Sequence, residues 1–439
     1  MAWLRRALGG AALAAFCAGC PAGRSVSAGG APAGGSGGSG GTTASTTTTP
    51  STTSTSDTGG TTSSSSGGTG GVTTSSTTTS DTTTSTTDTT TSTTSGSGGT
   101  GGMPPTETAL VFANSAVAVL GADHHPGTSW DVALPGAGST HTPATALIAA
   151  DQGVGLYRAA ADGMLTFITW SGASFSPPLV IGGLHKSMDA PSMVAWNGGV
   201  AAVYHKDDFK HYFARYQPGS GWSPVAEPIL ANNIHSFGPT PPTIAIVQGK
   251  PVIAYAGDNN NLYDQTRDNG AWQLSVDHGV TGTVQLTPTI VALQSGASDA
   301  MIAYVRKSDA QVMFTVRSAA SGAWSAPAAV PNAFTNDPVA LTSMGADGAM
   351  LAFRGTNTNL YTCSYNPAAN PPWSTPAAFG SGVASAPSLA RGIGGNDAEM
   401  AWVFGMQVEH ASYKSGAWTP AEIVGGAEIT GASIATFSP

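Results

Sequence analysis

The chain has 439 residues, a net charge of −9 at neutral pH, and only 9 % charged residues against 40 % hydrophobic ones. Scattered Lys and Arg on an acidic background argue against nucleic-acid binding, which needs a basic face. No stretch keeps apolar spacing of three and four, and Gly or Pro interrupts the chain about every ten residues, so the pattern is all-β rather than helical.

Residues 1–20 read as an export signal. Arg5-Arg6 supply a basic start, and Ala7 to Ala18 form an apolar run too short to span a bilayer. The run ends in Cys17-Ala18-Gly19-Cys20, which resembles the bacterial lipobox, with Cys17 where that motif has Leu, Val or Ile. The resemblance implies cleavage before Cys20, lipidation of that residue, and an exported cell-envelope protein, on the outer membrane or cell surface. A lipid anchor would be its sole membrane contact. An ordinary secretory signal is the other reading.

Residues 21–105 are a linker. From Gly29 to Gly102 the chain is almost pure Gly, Ser and Thr, with Val72 as its one large aliphatic. It cannot bury enough apolar surface to offset the entropy of ordering, so disorder is expected. As a flexible coil it would span about 50 Å.

Residues 106–439 carry an internal repeat. A small-residue turn followed by an aromatic recurs at Trp130, Phe175, Trp222, Trp272, Trp324, Trp373 and Trp418, at spacings of 45, 47, 50, 52, 49 and 45 residues. An apolar strand ending in an aromatic recurs at Phe112, Tyr157, Tyr204, Tyr255, Tyr304, Phe353 and Trp402, each 16 to 20 residues before its partner. A third series, Pro143, Pro191, Pro242, Pro288, Pro338 and Pro387, opens each unit but has no member in the first. The chain ends with a spare copy, Ala432 to Phe437. A unit of this length holds four strands, A to D, which is the size of a propeller blade. The expected fold is therefore a seven-bladed β-propeller closed by pairing of its N- and C-terminal strands, with no open edge to unzip. Both aromatic series are expected to be mainly core. Cys363, in an apolar strand, is expected to be a packed residue rather than a nucleophile.

With strands alternating in direction, the B–C loops and the D-to-A links share one face. The B–C loops offer Arg158 and Asp162; His205 and Asp207; Asp258, Asn259 and Asn261; Arg306 and Asp309; and Arg354, Asn357 and Asn359. Asp, Asn and Arg beside an aromatic wall suit sugar hydroxyls and rings, although Asp, Asn and Gly are also what β-turns require. Four D-to-A links carry His141, His185, His235 and His278. Solvated loop histidines are expected there, with a metal or anion site as the alternative. No cofactor is expected.

The blade pattern, an apolar strand ending in an aromatic, an Asp/Asn-rich loop, then Gly-x-Trp-Ser-x-Pro, resembles the seven-bladed, fucose-binding lectins of the PLL type. It is more loosely similar to tectonins and the sialidase superfamily. Gly221-Trp222-Ser223-Pro224 and Ala323-Trp324-Ser325-Ala326-Pro327 carry it best. The repeated Trp- and His-containing sugar motif of those lectins is absent in recognisable form. The resemblance implies a monomeric, non-catalytic carbohydrate-binding propeller, with a protein-interaction propeller as the alternative. A glycosidase-like enzyme is a third reading. Arg158, Arg306 and Arg354 stand near equivalent places for a carboxylate-binding set, but the six Glu of the propeller fall outside the B–C loops.

Overall fold

A computed structural model describes residues 108–437, apart from interruptions at 115–118, 125–129, 134–137, 151, 173, 184, 230–239, 281–282, 295, 346, 393–397 and 426–428. The leader, Cys20, the linker and the boundary at 105/106 lie outside the described residues, as does His235.

The described residues form seven antiparallel sheets. Six are built from consecutive strands. In chain order they open at Ala144–Ala149 (blade two), Ser192–Trp196, Thr243–Val247, Thr289–Ala292, Ala340–Met344 and Ser388–Arg391 (blade seven). The seventh sheet is composite. Thr108–Asn114, Val119–His124 and Asp131–Ala133 make three strands of blade one, and Ile429–Thr436 supplies the missing strand A. Leu110 lies opposite Ile434 and Thr108 opposite Thr436. The expected closure is present.

Strand A of each blade touches strand A of both neighbours, and Ile429–Thr436 touches those of blades two and seven, so the inner strands form a closed ring. Hydroxyls stitch this ring across the seams. Thr145 Oγ1 donates to the Ser433 carbonyl, Thr243 Oγ1 to that of Pro288, Thr289 Oγ1 to that of Val339, and Thr436 Oγ1 to that of Arg391. Ser192 and Ser388 accept from the backbone of Ile244 and Ile434. The ring encloses a cavity of about 340 Å³ lined by five of the six recurrent prolines and neighbouring Ser and Thr. A regular β-ladder cannot form there because blades meet face to face. Side chains with short polar arms take its place.

Strand B is the buried middle of each sheet. Every residue of Gly199–His205 is buried, as are Asp299 to Val305. Apolar side chains on both faces are what a strand sandwiched between neighbouring blades requires. Its terminal aromatics Phe112, Tyr157, Tyr204, Tyr255, Tyr304, Phe353 and Trp402 are all buried. Three of them stack across to strand C: Tyr204 on Tyr212, Tyr255 on Tyr263 and Phe353 on Tyr361, with centroids 5.5–5.9 Å apart. Cys363 is buried, and burial pushes its thiol up to about 12, which leaves it without thiolate character. Tight turns hold register on the opposite side of the sheets. In Asn197-Gly198, for example, both residues take positive φ, 49° and 69°, which suits a type I′ hairpin.

Candidate functional site

The B–C loops are compact turns whose polar groups largely serve the turn itself. Asp162 accepts from the Met164 amide at 2.9 Å, Asn259 from Asn261 at 2.9 Å, Asp309 from Gln311 at 3.3 Å and Asn357 from Asn359 at 3.2 Å. Asn259 and Asn357 each also donate to a tyrosine hydroxyl, of Tyr263 and Tyr361. Asn261 is buried and donates to Asp277. Arg306 closes a bidentate pair with Asp309 at 2.9 and 2.6 Å. Arg158 donates to the Ser187 carbonyl; Arg354 donates to the Val383 carbonyl and pairs with Asp337. Arg158 and Arg354 thus tie their blades to a nearby link while Arg306 stays within its own loop, and the three do not join a common cluster. His205 is buried, with Nδ1 2.9 Å from Asp189. Asp207 and Asp258 present exposed side chains.

The link histidines differ from expectation. His185 is buried and the side chain of His278 is too, not solvated, because the links fold back between blades. His185 bonds to the Tyr204 hydroxyl and His278 to Asp264. Among the described residues no group of His, Cys, Asp or Glu is arranged to hold a metal ion.

The structure brings chemistry together at the seams between blades. The residue of strand C opposite the one before each strand-B aromatic is Phe167, Phe213, Asp264, Phe314, Thr362 and His410 in blades two to seven. It meets the turn aromatic of the following blade. Phe167 packs on Trp222, Phe213 on Trp272 and Phe314 on Trp373, with centroids 5.5–5.9 Å apart, while Thr362 accepts from the Trp418 indole. A third ring completes two seams: Tyr216 packs on Phe167 and Trp222, and Tyr365 on Phe314 and Trp373.

Between blades four and five the same three positions read Asp264, Arg317 and Trp324. Two rings are replaced by charged side chains, and a groove of about 420 Å³ opens beside Trp324. A second hollow of about 280 Å³ shares Asp264, Thr266, Val276 and Arg317 with it. Each charge is fixed. Asp264 lies 2.9 Å from His278 Nε2, and the His278 ring packs on Trp324 at 5.0 Å. Arg317 pairs with Asp299 at 2.9 Å, and Asp299 also accepts from Gln248 of blade four at 2.7 Å. Lys250 and Asp268 pair at the rim. The result is an aromatic wall flanked by rigid hydrogen-bonding groups. Residue patterns singled out Trp324 only as core and missed Asp264 and Arg317. The available signal was a break in the Phe, Phe, Asp, Phe series.

No protein-family model and no curated protein matches the chain. Solved structures do. The BP39L lectin from Burkholderia pseudomallei superposes with a TM-score of 0.59 at 14 % identity, covering 74 % of this chain and 96 % of that one. The fucose-specific lectin from Aleuria aurantia aligns with a TM-score of 0.45 at 13 % identity, over 65 % and 95 % of the two chains. The BP39L superposition places the fold. It is a β-propeller.

Proposed function

We propose that the propeller binds a saccharide without transforming it, in the groove between blades four and five. One observation carries the reading: Trp324 stands beside pre-paired Asp264, His278 and Arg317 in a hollow large enough for a sugar ring. Aromatic faces take the apolar side of a pyranose, and fixed donors and acceptors take its hydroxyls. A lectin with the same fold supports it. The exposed Asp207 and Asp258 are proposed as auxiliary contacts on the face carrying the B–C loops. A glycan array probed with the full chain tests the reading. Saturable binding to a defined sugar is expected, and Trp324→Ala should weaken it about five- to a hundredfold, since removing a stacking aromatic costs on the order of 1–3 kcal/mol. Binding lost instead in Asp207→Ala with Asp258→Ala would move the site to the loops. Turnover of a chromogenic glycoside would replace the reading with a hydrolase.

Protein contact is the second reading. It is favoured by Phe209, Phe404 and Met406, exposed by 56 %, 43 % and 62 % at or beside B–C turns. Silence across the array supports it. Export and acylation at Cys20 belong to the same proposal, and the mass of the mature N-terminal peptide tests them.

A further inference from the structure

We propose that the seam between blades seven and one is a proton-operated latch, held shut by a doubly bonded His410 and loosened when that ring loses its proton. His410 takes the strand-C position that blades two, three and five give to Phe. Its side chain is 4 % exposed, and both ring nitrogens face carboxylates: Nδ1 lies 2.7 Å from Glu422 Oε1, and Nε2 lies 2.9 Å from Glu399 Oε2. Carboxylates accept, so a ring bonded on both sides carries two N–H groups and is an imidazolium. Glu399 also accepts from Ser412 Oγ at 2.5 Å. On the blade-one side, the Trp130 indole N–H donates to the same Glu422 oxygen at 2.9 Å, and its ring meets His410 edge-on at 4.9 Å. Trp130, Glu422, His410 and Glu399 thus form a continuous chain across the seam that the terminal strand completes.

Among the described residues, the charged groups facing His410 are Glu399 from strand B and Glu422 from the outer strand of blade seven. Burial alone would lower the affinity of the ring for its proton, but the two carboxylates outweigh it and hold His410 above its ordinary value. A histidine raised in the folded state stabilises fully below the unfolded value of about 6.5 and ceases to do so as pH rises through its folded value. Loss of the proton leaves one carboxylate facing a lone pair. Glu422, half exposed, is the more solvent-accessible of the two carboxylates, and Trp130 is bonded to it. His141, His185 and His211 are held below their ordinary values, chiefly by burial, so they act oppositely and weaken the fold on acidification.

The test is a melting-temperature profile of the full chain from about pH 5 to pH 9.5, for wild type, His410→Gln and Glu399→Gln, alongside an NMR titration of the imidazole resonances in wild type. The wild-type melting temperature should fall as pH rises above about 6.5, and the fall should vanish in both variants. One imidazole resonance, missing from His410→Gln, should titrate above about 6.5. Parallel profiles in all three proteins, or a His410 resonance titrating at or below that value, overturn the proposal. If neither variant folds, the wild-type resonances decide it alone: a single raised imidazole upholds the latch, and none refutes it.

Discussion

One side chain sets the character of each seam. Phe213 and Phe314 fill theirs, whereas Asp264 brings His278 with it and leaves room beside Trp324. Asp264→Phe should restore the aromatic pattern and close the groove. The expected outcome is loss of saccharide binding by more than about tenfold, with stability lowered by about 1–3 kcal/mol, since the change leaves the buried side chain of His278 without its carboxylate partner. Calorimetric titration and thermal melts check both. Much at this scale was legible. The two aromatic series, Cys363 and the turn role of Asn259 and Asn357 all follow from residue type and spacing. The partners of Asp264, Arg317 and His410 did not. A strand-C residue alternates between faces, and only the twist between adjacent blades decides what it meets. His185 and His278 misled for a related reason, since loop composition says nothing about whether a link folds inward.

At the scale of strands, the repeat predicted the elements because every unit carries the same three marks: a leading Pro, a strand-B aromatic and a turn aromatic. The exception, the absent first Pro, was as informative as the rule, since it predicted that the spare copy at Ala432 to Phe437 would pair with the opening strand, where Ile429–Thr436 in fact pairs with Thr108–Asn114. That strand buries Ile429, Ala432 and Ile434 against Leu110 and Phe112 of the first blade and Ala401 and Val403 of the last. A chain ending at residue 428 should lose several kcal/mol of buried apolar contact at about 25 cal/mol per Å². It would also expose an unpaired edge along Thr108–Asn114. A melting temperature lower by more than about 5 °C, or aggregation on size-exclusion chromatography, is expected. A truncated chain that melts like the full one would remove the closing role of this strand.

For the whole molecule, sevenfold architecture does not mean seven equal sites. The seams between blades two and three and between five and six are filled by three rings each. Between blades three and four, Arg267 is already paired in bidentate fashion with Glu227 and lies over Phe213. Titration calorimetry should therefore give a stoichiometry near one sugar per chain. A value near five or more would show that filled seams open to ligand.

The pairing of Thr108 with Thr436 also governs when the protein can become itself. Six sheets are complete as soon as their own consecutive strands have been made, but the first waits, one member short, until the last residues emerge. Ring formation is thus a late and non-local event, and contacts spanning nearly the whole domain are slow to find. During that interval Leu110 and Phe112 have no cover from the closing strand, and whatever shields them sets the yield of intact rings.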